Sequence, residues 1–86
     1  ETLDLHQLTV ERAKSALSWT IKGMRNTGKR TLLLITGKGL HSEHGSVIRD
    51  EILNLLAHSP DIRRYQEAPA RLGGSGAQLV EIKPEG

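Results

Sequence analysis

Asp4 and His6 are the first residues of this sequence that can do chemistry together. They lie in Thr2-Leu3-Asp4-Leu5-His6, an alternating polar and apolar stretch that reads as a strand. Residues two apart on a strand point the same way, with Cα atoms about 6.6 Å apart. With Leu3 and Leu5 turned to the core, Asp4 and His6 share the other face at the strand's C-terminal end. A carboxylate beside an imidazole fixes its tautomer and raises its basicity, as a general base requires. Taken alone, the same spacing more often means two polar residues decorating an exposed strand.

Two glycine-bearing motifs follow. Thr36-Gly37-Lys38-Gly39 comes directly after the apolar run Leu32-Leu33-Leu34-Ile35. Glycines on either side of a lysine let the backbone turn sharply and bring its N–H groups to an anion, and Lys38 adds a charge. The spacing is not that of a P-loop, and a plain strand-to-loop turn fits it too. Position strengthens the motif, because ligands of parallel α/β sheets bind at the strands' C-terminal edge. Gly73-Gly74-Ser75-Gly76 has the composition of a flexible linker or hairpin turn. It would also let a nucleic-acid backbone approach closely, since few side chains intervene.

The elements that must position these motifs are legible in the periodicity. Thr9 can cap a helix from Val10 whose apolar stripe is Val10, Ala13, Leu17, Ile21 and Met24, ended by Gly28. Residues 32–35 read as a central strand covered on both faces. Ser46 can cap a second helix with Ile48, Ile52, Leu55 and Leu56 inward, stopped by Ser59-Pro60. Residues 62–68 and 78–83 read as two more strands. The order β-α-β-α-β-β predicts a two-layer α/β sandwich: a mixed four-stranded sheet with both helices on one face.

Length and composition bound the rest. With 86 residues the chain is one domain, 1–86, and its 36% hydrophobic and 26% charged content suits a globular fold. One Trp, one Tyr and no Phe leave the core to Leu, Ile and Val. The absence of cysteine excludes a disulfide scaffold, a thiolate metal site and a cysteine nucleophile. A small domain without such staples is expected in the cytoplasm. No run approaches the roughly 20 apolar residues of a membrane span, and no signal peptide is visible. The chain opens at Glu1 without Met, which suggests a piece of a longer protein. A net charge of +2 and a pI of 9.3 permit polyanion binding without demanding it. Lys22, Arg25, Lys29 and Arg30 gather at one helix end, while Lys38, Arg49, Arg63, Arg64 and Arg71 fall in or beside later loops. A solvated charged surface is the plain alternative.

Taken as an ordered set, Leu3-Asp4-Leu5-His6, Thr36-Gly37-Lys38-Gly39 and Gly73-Gly74-Ser75-Gly76-Ala77 resemble the Smr (small MutS-related) domain family across nearly the whole chain. That resemblance implies a fold like the C-terminal domain of translation initiation factor three. It also implies endonucleases that nick DNA or cleave RNA, some on stalled ribosomes. The family's Asp-x-His pair corresponds to Asp4 and His6, its Gly-x-Gly loop to Gly37, Lys38 and Gly39, and a basic residue early in its second helix to Arg49. One departure stands out: Gln7 occupies a position where the family usually has Gly, so a positive φ after the strand could be lost.

For RNA cleavage by its own 2′-hydroxyl, His6 steadied by Asp4 can be the base, and Lys38 and Arg49 can meet the phosphate charge. The acid is unassigned, with His41 and His44 as candidates. Nicking DNA requires an activated water, usually through a metal, so Mg²⁺ enters only if DNA is the substrate. Asp4 and His6 are too few to define a metal site, and His41 and His44 in a loop are more often solvated. The expected backbone-gripping set is Gly37, Lys38, Gly39, His41, Arg71, Gly73, Gly74 and Gly76. Two other readings use the same surface: a non-catalytic DNA- or RNA-binding module, and an interaction domain that recruits a partner to the ribosome. Trp19 lies opposite the apolar stripe, where it either packs partly under a neighbour or offers a stacking platform or dimer contact. His58 suits the C-terminal dipole of the second helix.

Overall fold

The computed structural model describes residues 1–37 and 43–84 of the chain, with the side chains of 43–47 outside that description. Thr9 starts the first helix as expected. Its extended backbone leaves the hydroxyl to accept from the Arg12 N–H at 3.2 Å, satisfying one of the first turn's unpaired donors. This helix, α1, spans Val10–Thr27 and buries Ala13, Leu17, Ile21 and Met24. Gly28 ends it at φ 79°, its N–H on the Arg25 carbonyl and the Lys29 N–H on the Met24 carbonyl. That paired return is a Schellman ending, and it needs the left-handed residue that glycine supplies.

The second helix, α2, spans Glu43–His58 and buries Ile48, Ile52 and Leu56. Its start falls three residues before Ser46, which therefore sits inside the helix instead of capping it. A serine cap contributes only about 1 kcal/mol, whereas tertiary packing supplies most helix stability, so the cap signal did not fix the start. At the other end the exposed His58 places Nδ1 2.8 Å from the Asn54 carbonyl, one of the helix's last acceptors.

Four strands form one mixed sheet: β1 (Thr2–Asp4), β2 (Thr31–Ile35), β3 (Ile62–Glu67) and β4 (Ala77–Ile82), in the order β1-β2-β4-β3. β1 runs parallel to β2, and β4 runs antiparallel to both its neighbours. Both helices lie on one face, so the β-α-β-α-β-β sandwich stands as expected, with strand ends displaced by a residue or two. The core joins Leu5, Leu17, Leu32, Leu34, Ile52 and Val80, each fully buried, and contains no aromatic ring. Burying each such Leu or Ile contributes about 1.5–3 kcal/mol.

Three expectations need correction. β2 is interior but is not covered on both faces: Leu32 and Leu34 face the helices, while Leu33 and Ile35 stay partly exposed on the other side. Their shelter comes from cross-strand neighbours, Leu79 beside Leu33 and Ala77 beside Ile35, so an apolar run need not mean two covering layers. Of the two readings of residues 69–76, the hairpin connection holds, since they join the antiparallel β3 and β4, and the flexible linker does not. They fold into two 3-10 turns, Ala70–Leu72 and Gly74–Gly76, tied by bonds from Leu72 and Gly74 N–H to the Pro69 carbonyl and from Gly76 N–H to the Gly73 carbonyl. Gly73 at φ 122° and Gly74 at φ 56° make that path possible. Trp19 does not tuck under a neighbour, being 78% exposed. Among the described residues no helix is long and apolar enough to cross a membrane.

Candidate functional site

The site begins with the way β1 ends. Leu5 N–H still reaches the Ile35 carbonyl at 2.7 Å, but β2 stops there, and the chain turns so that the Leu8 N–H meets the Leu5 carbonyl at 3.1 Å. His6 therefore sits in the turn just beyond the strand and not on it, as the alternation had suggested. Asp4 makes the turn. Its Oδ1 accepts from the His6 backbone N–H at 3.1 Å, an Asx turn, and lies 2.5 Å from His6 Nδ1. One carboxylate oxygen thus bends the chain and orients the ring that the bend presents. Gln7 follows without a positive φ, which no described residue other than glycine adopts, so the turn closes without the glycine usual in the family.

Both side chains are about half exposed, so their bond contributes little to stability and much to orientation. The Asp4 carboxyl is held below its ordinary pKa, chiefly by the hydrogen bond from the His6 ring and next by the His6 N–H; slight desolvation opposes them. A depressed acid stabilises the fold above the unfolded carboxyl pKa, about 3.9, and loses that contribution as pH falls through its own lower value. Asp4 is accordingly an anion throughout the neutral range and accepts only. Since the carboxylate only accepts, the proton between the pair belongs to Nδ1, and in the neutral imidazole Nε2 is then the nitrogen free to accept.

This geometry makes a prediction separable from any activity. In wild type, ¹⁵N spectra of the neutral imidazole should show the Nδ1–H tautomer dominating at His6. Asp4→Ala should return His6 to the ordinary preference for Nε2–H, while Asp4→Asn should keep the backbone turn but weaken the preference. Equal tautomer ratios in wild type and Asp4→Ala would show that the carboxylate does not hold the ring.

The second loop arrives from the adjoining strand. Asp4 pairs with Ile35, so Thr36 and Gly37 emerge beside the turn that carries His6. Gly37 has φ 84°, and a Cβ built there would lie 3.3 Å from His6 Cβ. Close approach and backbone angle both call for glycine. The third motif reaches the same edge because β4 starts where β2 ends. Gly76 is buried, and its carbonyl accepts from the Thr36 and Gly37 N–H groups, each at 3.0 Å. Thr36 is fully buried, with Oγ1 3.4 Å from the Gly37 carbonyl. Gly73 is held tightly too: a Cβ there would come 2.9 Å from Ala77 Cβ.

The three motifs therefore meet, through the chain Asp4–His6–Gly37–Gly76. Other expected residues are less closely joined. Arg49 is half-buried on α2 beside Ile48, which with His6, Gln7, Leu8 and Thr9 lines a shallow hollow of about 410 Å³. No hydrogen bond or ion pair links Arg49 to Asp4 or His6 among the described residues. Arg71 is exposed on the first 3-10 turn. Lys38, Gly39 and His41 lie outside the described residues, as does the side chain of His44. No cluster of three His, Asp or Glu side chains suited to a metal ion occurs among the described residues. Sequence reasoning named Gly76 and Thr36 within their motifs but missed that the Gly76 carbonyl ties the two loops and that Thr36 is buried. The signal for the first was the small residue before Ala77, and for the second a threonine at the end of an apolar run.

Residues 3–83 match the family described as the Smr domain. The chain belongs to the Smr family. The Smr domain of Thermus thermophilus MutS2 superposes with a TM-score of 0.87 at 28% identity, covering 98% of this chain and 99% of that one. The stand-alone small MutS-related protein YdaL of Escherichia coli superposes with a TM-score of 0.88 at 29% identity, covering 95% and 63%. In sequence, this Smr domain is 35% identical over 81 residues to the ribosome rescue factor SmrB of Tolumonas auensis and 31% identical over 83 residues to that of Yersinia enterocolitica. Each alignment takes in nearly all of this chain, which spans only 44% of the relative's length.

Proposed function

We propose that this Smr domain is a nucleic-acid-binding module that works at the ribosome, in the cytoplasm, as part of rescue. The observation that carries the reading is the approach of Gly37 to His6. It joins a glycine-opened backbone to an exposed imidazole at the sheet edge where ligands of parallel strands gather. Likeness to proteins named ribosome rescue factors supports the setting. Phosphates would be gripped by Lys38, Arg49 and Arg71, with His41 and the glycines at 37, 39, 73, 74 and 76 allowing close contact.

Fluorescence anisotropy of labelled single-stranded RNA and DNA tests this. Binding should weaken with salt, log affinity falling by about 0.7 per neutralised phosphate in single strands. The Lys38→Ala/Arg49→Ala double variant should bind more weakly and lose part of that slope. Affinity indifferent to salt and to both substitutions would leave the protein-interaction reading in its place.

A second reading, cleavage, is favoured by the 2.5 Å bond between Asp4 and His6 Nδ1. With RNA, Nε2 would take the proton of the 2′-hydroxyl as its oxygen bonds to phosphorus. The bond to the 5′-oxygen breaks, a general acid protonates that oxygen, and a 2′,3′-cyclic phosphate remains. Lys38 and Arg49 would stabilise the charge gathering on the phosphate. With DNA, Asp4 and His6 would instead help hold Mg²⁺ that activates water. Labelled RNA and supercoiled plasmid, each with Mg²⁺ and with chelator, separate the two chemistries.

A further inference from the structure

Away from the His6 edge, on the solvent side of α1, two shallow hollows adjoin. One is lined by Trp19, Lys22, Gly23 and Asn26, the other by Ser18, Lys22, Arg25, Asn26 and Asp61, so Lys22 and Asn26 belong to both. The first is mostly apolar. Its indole is 78% exposed, and one helical turn on, Gly23 has open space where a Cβ would be, so a flat ring could lie against the indole unobstructed. The second hollow is cationic. Arg25 Nη1 is 2.7 Å from Asp61 Oδ1, which neutralises the one acidic group there. Arg25 Nε is buried with no hydrogen-bond partner. Lys22 is exposed and makes no ion pair among the described residues.

We propose that this face of α1 is a second nucleic-acid subsite, in which a base of a single strand stacks on Trp19 and the adjoining phosphate lies against Lys22 and Asn26. An aromatic plane beside a cation is what a single strand recognises, since every base has a π face and every link a negative charge. A protein partner would meet an apolar surface of only one ring, bordered by Lys22, Arg25 and Asn26. Trp19 stands nine residues beyond Val10, about 13 Å along the helix, so the subsite is separate from the His6 edge. The proposal rests on the nucleic-acid reading for the partner's class, but on none of the residues that reading uses.

Trp19 is the sole tryptophan, so intrinsic fluorescence reports the subsite directly. The His6→Ala protein, titrated with a twelve-nucleotide oligo-uridine, should show quenching that saturates with binding. Heparin, a polyanion without bases, should bind with little quenching. Trp19→Ala should weaken oligo-uridine binding about 5- to 100-fold, Trp19→Phe should restore much of it, and Lys22→Ala should weaken it severalfold. Circular dichroism confirms that each variant is folded. Absent quenching at saturation, or unchanged affinity in Trp19→Ala, overturns the proposal. So would Trp19-dependent dimerisation in sedimentation without quenching, which would make the face a self-contact. Its failure is distinguishable from failure of the nucleic-acid reading. In the first case oligo-uridine still binds through Lys38 and Arg49, and in the second it does not bind at all.

Discussion

On the cleavage reading, His6→Ala should lower phosphodiester cleavage about 10²–10⁴-fold while leaving the fold and the affinity for single-stranded RNA nearly unchanged. The size follows from the role that the cleavage reading gives His6: removing a general base takes away the group that accepts the proton in the transition state. The fold is spared because His6 is half exposed and lies in a turn closed by backbone bonds, and such substitutions usually cost within about 0.5 kcal/mol. Turnover should rise with pH in the wild type and be flat in the variant. Asp4 does not produce that rise in the neutral range, because the hydrogen bond from His6 holds its carboxyl below the ordinary value and it is already ionised there. Insensitivity to chelator and a cyclic-phosphate product would fix the substrate as RNA. Wild-type turnover in His6→Ala would remove the cleavage reading and leave the binding module.

Gly37→Ala is expected to cost cleavage about tenfold or more and stability about 1–2 kcal/mol. The stability cost comes from placing a Cβ on a residue at φ 84°. The catalytic cost comes from where that Cβ would sit, 3.3 Å from His6 Cβ, so that the imidazole must give by a few tenths of an ångström. Displacement of a reacting group by 1 Å can cost about 100-fold, so a smaller shift has a smaller but readable effect. Thermal melts and single-turnover rates measure the two costs separately. Gly28→Ala is the control, with a similar φ and no neighbour within 4 Å. It should lose stability without losing rate. Equal rate losses in both variants would mean that Gly37 acts through the fold alone.

Much of this arrangement was legible because local rules and the global fold agree. Thr9, the stripe from Ala13 to Met24 and Gly28 define α1 at both ends by mechanisms confined to a few residues. Leu3 turned inward leaves Asp4 outward, as alternation requires. The misses have physical reasons. His6 leaves the strand because β2 ends at Ile35, a fact of pairing that lies thirty residues away. Trp19 is an exception to burial, and no periodicity says whether a ring on the outer face will find a neighbour. The glycines of 73–76 signal flexibility by composition, yet positive φ at Gly73 and Gly74 builds them into tight turns. Which carbonyl they aim, and at what, is set by β4 lying beside β2.

That aim has a mechanical consequence. One oxygen, on Gly76, serves both the Thr36 and Gly37 amides. When Gly76 swings away, both amides lose their acceptor in one event. The second and third motifs are therefore tied together at a single atom. A ligand that displaced the Gly76 carbonyl, at the end of the second 3-10 turn, would free both amides for its own acceptors. Far apart in sequence, the two loops meet on one oxygen.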